Sequence, residues 1–273
     1  MRIPALLIIA SLSAPAQAGE TAWQELAPGA RARLVSADVV RPDGTTLIGL
    51  ELEMPLSSNS YWRVPGETGI PTSLDFTGSS GVADHEMLWP YPQIETATGY
   101  VDFVYRGPHV LPVVLKLDGD TANLAVEVTM GICSDVCVPV QATFELPLSL
   151  GVPDRAQGLR LQQAVALTPI EWTGPGDPVP VVTYDPLADA LAVSLDAALV
   201  DPASLIADAG EGGQLFGAPQ KSPDGKIVLV PLLGGDQGRS VVGMPVRLTF
   251  MTDMGPFSVE RRISSAGSAA AGD

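Results

Sequence analysis

The sequence predicts an all-β protein: a β-sandwich followed by a second, smaller β-rich domain. Three observations carry that prediction. Gly (28) and Pro (25) are frequent and scattered through the 273 residues, and Pro breaks helix interiors. Short apolar stretches alternate with polar residues at period two, the signal of a half-buried strand. Turn sequences such as "RPDGTT" and "KLDGDTAN" separate these stretches, with Asp-Gly supplying positive φ. Several short strands at regular spacing point to a sandwich.

Taken in order, residues 1–18 (MRIPALLIIASLSAPAQA) read as a secretory signal peptide. Arg2 gives the positive start, Ala5 to Leu12 the apolar run, and Ala16-Gln17-Ala18 the cleavage signal, so the mature chain starts near Gly19. The run is shorter than the roughly 20 residues of a membrane span, and no later stretch comes near one. A soluble, exported protein is expected. Strands are expected over Ala32–Ala37, Thr46–Met54, Tyr100–Tyr105, Val113–Leu117, Asn123–Met130 and Thr143–Leu148. These make a first domain over residues 19–150. A linker over 151–175 holds one short helix, near Asp154 to Ala166, and then a Gly/Pro-rich stretch. Strand runs resume at Val181–Tyr184, Ala190–Leu195, Lys226–Val230 and Met244–Met251, in a second domain over 176–262. The small, polar tail over 263–273 is predicted to be disordered.

Composition narrows the function. A formal net charge of −16 argues against nucleic acid, whose phosphates need Lys and Arg. No paired carboxylates, Ser-His-Asp arrangement or HExxH motif stands out. His85 and His109, the two histidines, read as surface or turn residues. No cofactor is implied. The chemistry-bearing feature is "VTMGICSDVCVPVQ" (128–141), which contains both cysteines, Cys133 and Cys137.

Strand-type residues flank the pair, and three residues separate it, as in a tight or bulged hairpin. Facing residues in such a hairpin have Cβ atoms about 4.5–5.5 Å apart, close to disulfide distance. Export places the pair where a disulfide persists. As a staple it is poor: so short a loop gains about 2 kcal/mol on the loop-entropy model. As a switch it is good, because opening it need not unfold the domain, and exposed disulfides are the labile ones. Neither reading wins on these grounds. A copper site is a third possibility, with Met130 as a further sulfur ligand. C-x-x-x-C is not the usual zinc spacing, and no second Cys pair exists. No Lys, Arg or His lies within the hairpin to lower a thiol pKa, and Asp135 would raise it if close.

"YWRVPGETGIPTSLDF" (61–76), "MLWPYPQ" (87–93), "VYRGPHVLPVVL" (104–115) and "GICSDVCVPVQATFEL" (131–146), in that order, resemble one family. It is the N-terminal periplasmic domain of the membrane reductase DsbD, in the variant of the suppressor-of-copper-sensitivity protein B group. The resemblance covers about residues 25 to 150. It implies an immunoglobulin-like sandwich whose Cys133 and Cys137 exchange thiol and disulfide. Such a domain takes electrons from a membrane-embedded thiol–disulfide carrier and passes them to periplasmic thioredoxin-like proteins. The family pattern places Cys137 in the mixed disulfide. Two departures stand out. The spacer is shorter than in the best-known members, and the region matching their aromatic cap loop, Glu95 to Tyr100, offers only Tyr100. Tyr61 or Trp62 could shield a sulfur instead, though Trp62 and Trp89 suit the core. Pro139 fits an edge strand, which would leave the hairpin open to a partner. The alternative is a non-enzymatic exported β-sandwich that binds a partner protein or copper, with a structural hairpin disulfide.

Overall fold

The computed structural model describes residues 19–97, 99–119, 121–134, 136–234 and 241–266. The expected signal peptide, most of the expected disordered tail, and Asp135 lie outside these residues. The first sandwich contains β1 (Gln24–Ala27), β2 (Ala30–Ser36), β3 (Thr45–Glu53), β4 (Asn59–Gly66), β5 (Ser73–Asp75) and β6 (Val82–Met87). It continues with β7 (Gln93–Glu95), β8 (Asp102–Arg106), β9 (His109–Leu117), β10 (Ala122–Cys133) and β11 (Cys137–Leu148). One sheet runs β1-β2-β3-β9-β6, and the facing sheet runs β11-β10-β4-β8-β7 with β5 also on β10. The architecture is all-β and immunoglobulin-like, as the strand spacing and the resemblance led us to expect.

Alternation decides which faces meet. Along β10, Leu124, Val126, Val128, Met130 and Ile132 point into the core. They pack against Leu34, Ile48, Leu50, Leu111, Val113 and Leu115 of the other sheet. Trp62 fills the centre, edge-on to Phe103 with centroids 5.8 Å apart. Both rings are almost wholly buried, so they serve packing. The alternation breaks at the end of β10. Gly131 and Cys133, on the opposite face, are buried as well, so something covers that face.

Helix α1 (Arg155–Ala166) is capped by Asp154, whose side chain accepts from Gln157 N. Its Leu161 packs with Val35, Ala37 and Leu47 on the outer face of the first sheet. Gly49 of β3 makes room: a β-carbon there would lie 2.6 Å from Leu161 Cδ2.

The second half holds β12 (Ile170–Glu171), β13 (Val181–Asp185), β14 (Ala190–Ser194), β15 (Ile206–Asp208) and β16 (Leu215–Phe216). It goes on with β17 (Gln220–Lys221), β18 (Ile227–Leu233), β19 (Pro245–Thr252), β20 (Gly255–Arg262) and β21 (Ser264–Ser265). The sheets are β12-β20-β19-β15 and β16-β18-β14-β13-β21, with β17 on β18. They enclose Val193, Val230, Leu248 and Phe250. This unit reaches beyond 176–262 at both ends, because β12 and β21 pair in parallel with β20 and β13. Such two-residue strands are too short to show a period. The halves are joined by Arg63, whose guanidinium donates twice to the buried Asp208, and by Tyr91 Oη–H donating to Ser204 O.

Candidate functional site

Strands β10 and β11 form one long antiparallel hairpin, with Cys133 directly opposite Cys137 at its tip. The two are joined in a disulfide, with Cα atoms 4.0 Å apart. The sulfurs live in different surroundings. Cys133 is 4% exposed, whereas Cys137 lies on the surface. Apolar Val136 and Val138 are exposed beside it. Strand β11 is an edge of its sheet, and Pro139, opposite Gly131, removes a donor there.

Tyr61 covers the buried sulfur. Its Oη–H lies 2.7 Å from Cys133 Sγ and 3.5 Å from Cys137 Sγ. A disulfide sulfur carries no hydrogen, so the phenol is the donor. Burial pushes the Tyr61 pKa up, and a hydrogen bond with the Asn59 side chain partly opposes that. The hydroxyl therefore keeps its proton at neutral pH. The ring is held flat by the loop after β4. A β-carbon on Gly69 would lie 2.2 Å from Tyr61 Cδ1, so only glycine lets the chain pass this close. Ile70 O accepts from Gly131 N at 3.2 Å, tying the same loop to β10. Asp102 fixes the loop's other side by accepting from Thr68 N (2.9 Å) and Thr68 Oγ1. This loop is the cover over the back of β10.

The aromatic shield is thus Tyr61, one of the two the motif offered. Trp62 points the other way, into the core, and Trp89 packs against that core. Tyr100 is 52% exposed, and no hydrogen bond to a sulfur involves it. Met130 is wholly buried on the core face, across the strand from Cys133, so it does not join the cysteines as a ligand. Among the described residues no group of three or more His, Cys, Asp and Glu could hold a metal. The roles of Gly69, Thr68 and Asp102 were not foreseen. "PGETGIP" is legible as a turn, but nothing local says which ring it lies on.

His109 corrects an expectation. It is half-buried at the start of β9 rather than free on the surface: the ring stacks on Tyr105 at 5.1 Å, Nε2 accepts from Ser60 Oγ (3.0 Å) and Nδ1 donates to Gly107 O (2.8 Å). That tautomer follows from the partners, since a carbonyl only accepts. Burial drives its pKa down to about 4, against the Gly107 carbonyl, which raises it. A folded pKa below the ordinary value means that acid favours the unfolded chain. The stability is present above about pH 6.5 and is lost as pH falls toward 4, by at most about 3 kcal/mol. Urea unfolding at pH 7 and pH 4.5 measures this. His109→Gln should flatten the pH dependence, and an unchanged slope would refute the assignment. His85 is exposed and lies against Phe76, 4.5 Å between centroids.

An immunoglobulin-like sandwich with an edge hairpin closed by one buried and one exposed sulfur defines a thiol–disulfide interchange module in general terms. Comparison with known proteins agrees. Residues 24–149 match the family described as thiol:disulfide interchange protein DsbD, N-terminal, and that domain of the chain belongs to this family. Among solved structures, the N-terminal periplasmic domain of ScsB from Proteus mirabilis is similar over both halves. It covers 92% of this chain and 100% of its own, with a TM-score of 0.72 and 24% identity, a likeness of fold. No curated protein sequence matches the chain. Among the described residues no helix is long and apolar enough to cross a membrane.

Proposed function

We propose that this chain is a periplasmic exchange protein that carries electrons from a membrane thiol carrier to periplasmic thioredoxin-like proteins through Cys133 and Cys137. The observation that supports this best is the asymmetry of the pair: Cys137 is open and Cys133 is covered by Tyr61. A donor thiolate attacks Cys137 Sγ and forms the intermolecular S–S bond. The Cys133–Cys137 bond breaks, and its electron pair leaves on Cys133 as a thiolate beneath the Tyr61 hydroxyl. The donor's second thiol then attacks the mixed disulfide, releasing reduced Cys137 and an oxidised donor. Delivery runs in reverse: the Cys137 thiolate attacks an acceptor disulfide, and Cys133 resolves the adduct. The exposed apolar side chains of Ile70, Val136 and Val138 offer a landing surface around the sulfur.

Trapping tests it. In cells producing Cys133→Ala, Cys137 cannot be resolved and should accumulate in mixed disulfides, identified by mass spectrometry. Cys137→Ala, with only the covered sulfur left, should trap little. No adduct with either variant, or adducts mainly through Cys133, would overturn the reading.

A further inference from the structure

Three groups meet where the chain enters the first sandwich. Gly19 is buried, with its carbonyl accepting from Ser36 N at 2.7 Å. A β-carbon built on it would lie 2.8 Å from Asp154 Oδ2. A residue's nitrogen and β-carbon share one Cα and are about 2.5 Å apart, so Gly19 N lies within about 5 Å of that carboxylate. Asp154 N donates to Ala37 O (3.1 Å), which seats Asp154 beside Asp38.

Asp38 is 1% exposed. Its Oδ1 accepts from Ser36 Oγ at 2.8 Å, while its Oδ2 has no partner. Burial pushes its carboxyl pKa up, hydrogen bonds from Ser36 and the Ser149 backbone pull it down, and the neighbouring Asp154 raises it again. Neither aspartate takes part in an ion pair among the described residues. The nearest other charges are spoken for or face outward. Glu20 is held by Arg33 and Gln157, and Arg41 and Arg155 are exposed on the rim of the groove that Asp154 also lines. Two adjacent carboxylates, one buried with an open oxygen, lack a cation among the described residues.

The sequence places Ala16-Gln17-Ala18 immediately before Gly19. We propose that cleavage after Ala18 supplies the missing charge: the new α-ammonium of Gly19 pairs with Asp154 and Asp38, so removal of the leader completes the fold. This rests on the export reading. In the precursor the same nitrogen is an uncharged amide, and the two carboxylates stay uncompensated. The leader-bearing chain is then the less stable one, and the mature chain becomes locked only after processing. The glycine suits the site too, since its φ of +85° is one that other residues rarely adopt and a β-carbon would crowd the Asp154 carboxylate.

The sign is fixed by the chemistry. An amine that gains a carboxylate partner has its pKa raised above its ordinary value of about 7.7–8.0. Its stabilisation is full below that value and is lost as pH rises through the folded pKa. The experiment has two arms. The periplasmic protein is purified from cells expressing the full gene product, and its intact mass is measured. Then the chain beginning at Gly19 is compared with its Nα-acetylated form by urea unfolding between pH 6.5 and 10, each with and without Asp154→Asn. Asparagine caps a helix as well as aspartate, so α1 is retained.

The mature chain should begin at Gly19. At pH 6.5 acetylation should raise the unfolding constant about tenfold, the effect of one unit of pKa shift. That difference should shrink in Asp154→Asn and close near pH 10. A chain processed at another residue, or equal stability of the free and acetylated forms at pH 6.5, overturns the inference and leaves export standing. A protein that keeps its leader and stays in the cytoplasm overturns both.

Discussion

In Tyr61→Phe, excess dithiol should reduce the Cys133–Cys137 disulfide at least about tenfold more slowly, with little change in the fold. The phenyl ring still fills the space under Gly69, so packing is kept. The donor 2.7 Å from Cys133 Sγ is lost, together with the hydroxyl's hydrogen bond with the Asn59 side chain. A disulfide sulfur is a weak acceptor, whereas a departing thiolate is charged, so the bond strengthens as the S–S bond breaks. Hydrogen bonds to charged groups contribute roughly 1.5–3 kcal/mol, which spans about ten- to hundredfold in rate. Arg106, whose charge acts on Tyr61, does not substitute, because it is paired with Glu95. The same variant should raise the pKa of the Cys133 thiol in the reduced protein. Stopped-flow reduction gives the rate, and thiolate absorbance against pH gives the pKa. Both unchanged would mean that Tyr61 is only a lid.

Asp208→Ala should cost about 3 kcal/mol and loosen the two halves. Asp208 is 2% exposed and receives both terminal nitrogens of Arg63, as well as Gly210 N at 2.8 Å. Arg63 in turn lies over the Trp62 ring, 4.2 Å from its centroid, at the edge of the first core. Removing the carboxylate leaves a guanidinium with 22% of its side chain exposed and no counter-charge. Breaking one side of a buried pair is the expensive change, and replacing both sides by apolar groups is not. Arg63→Met with Asp208→Leu should therefore regain most of the loss, a coupling that a double-mutant cycle in urea measures. Limited proteolysis between the halves should be faster in Asp208→Ala alone. Additive losses would mean that the ion pair is incidental to docking.

Strand β10 shows how much of this was legible. Asn123 to Met130 alternates in sequence and alternates in burial, because one face of an antiparallel strand meets the core and the other does not. The hairpin, the facing cysteines and the edge position of Pro139 follow from that local pattern. The short helix near Asp154 to Ala166 was legible too, though its cap came only with the structure. What lay out of reach was set by long-range contact. Tyr61 reaches Cys133 across 72 positions, and Arg63 reaches Asp208 across 145. No periodicity carries such information. The motif around residue 61 marked Tyr61 and Trp62 as candidate shields, but which one faced the sulfur depended on strand parity. The partial burial of His109 was hidden for a similar reason: Ser60, its hydroxyl partner, lies 49 positions away on β4.

The long β10–β11 ladder has a kinetic corollary. Its pairing continues from Ile132–Val138 down to Ala122–Leu148, held by backbone hydrogen bonds that do not run through the sulfurs. Opening the bond therefore alters charge and hydrogen-bond acceptance at one spot and leaves the outline of the molecule alone. In the proposed shuttle, donor and acceptor then see nearly the same surface and visit the same exposed sulfur, one after the other. A steady-state assay with both should show parallel double-reciprocal lines, the mark of a ping-pong shuttle. Excess of either partner should inhibit the other by occupancy.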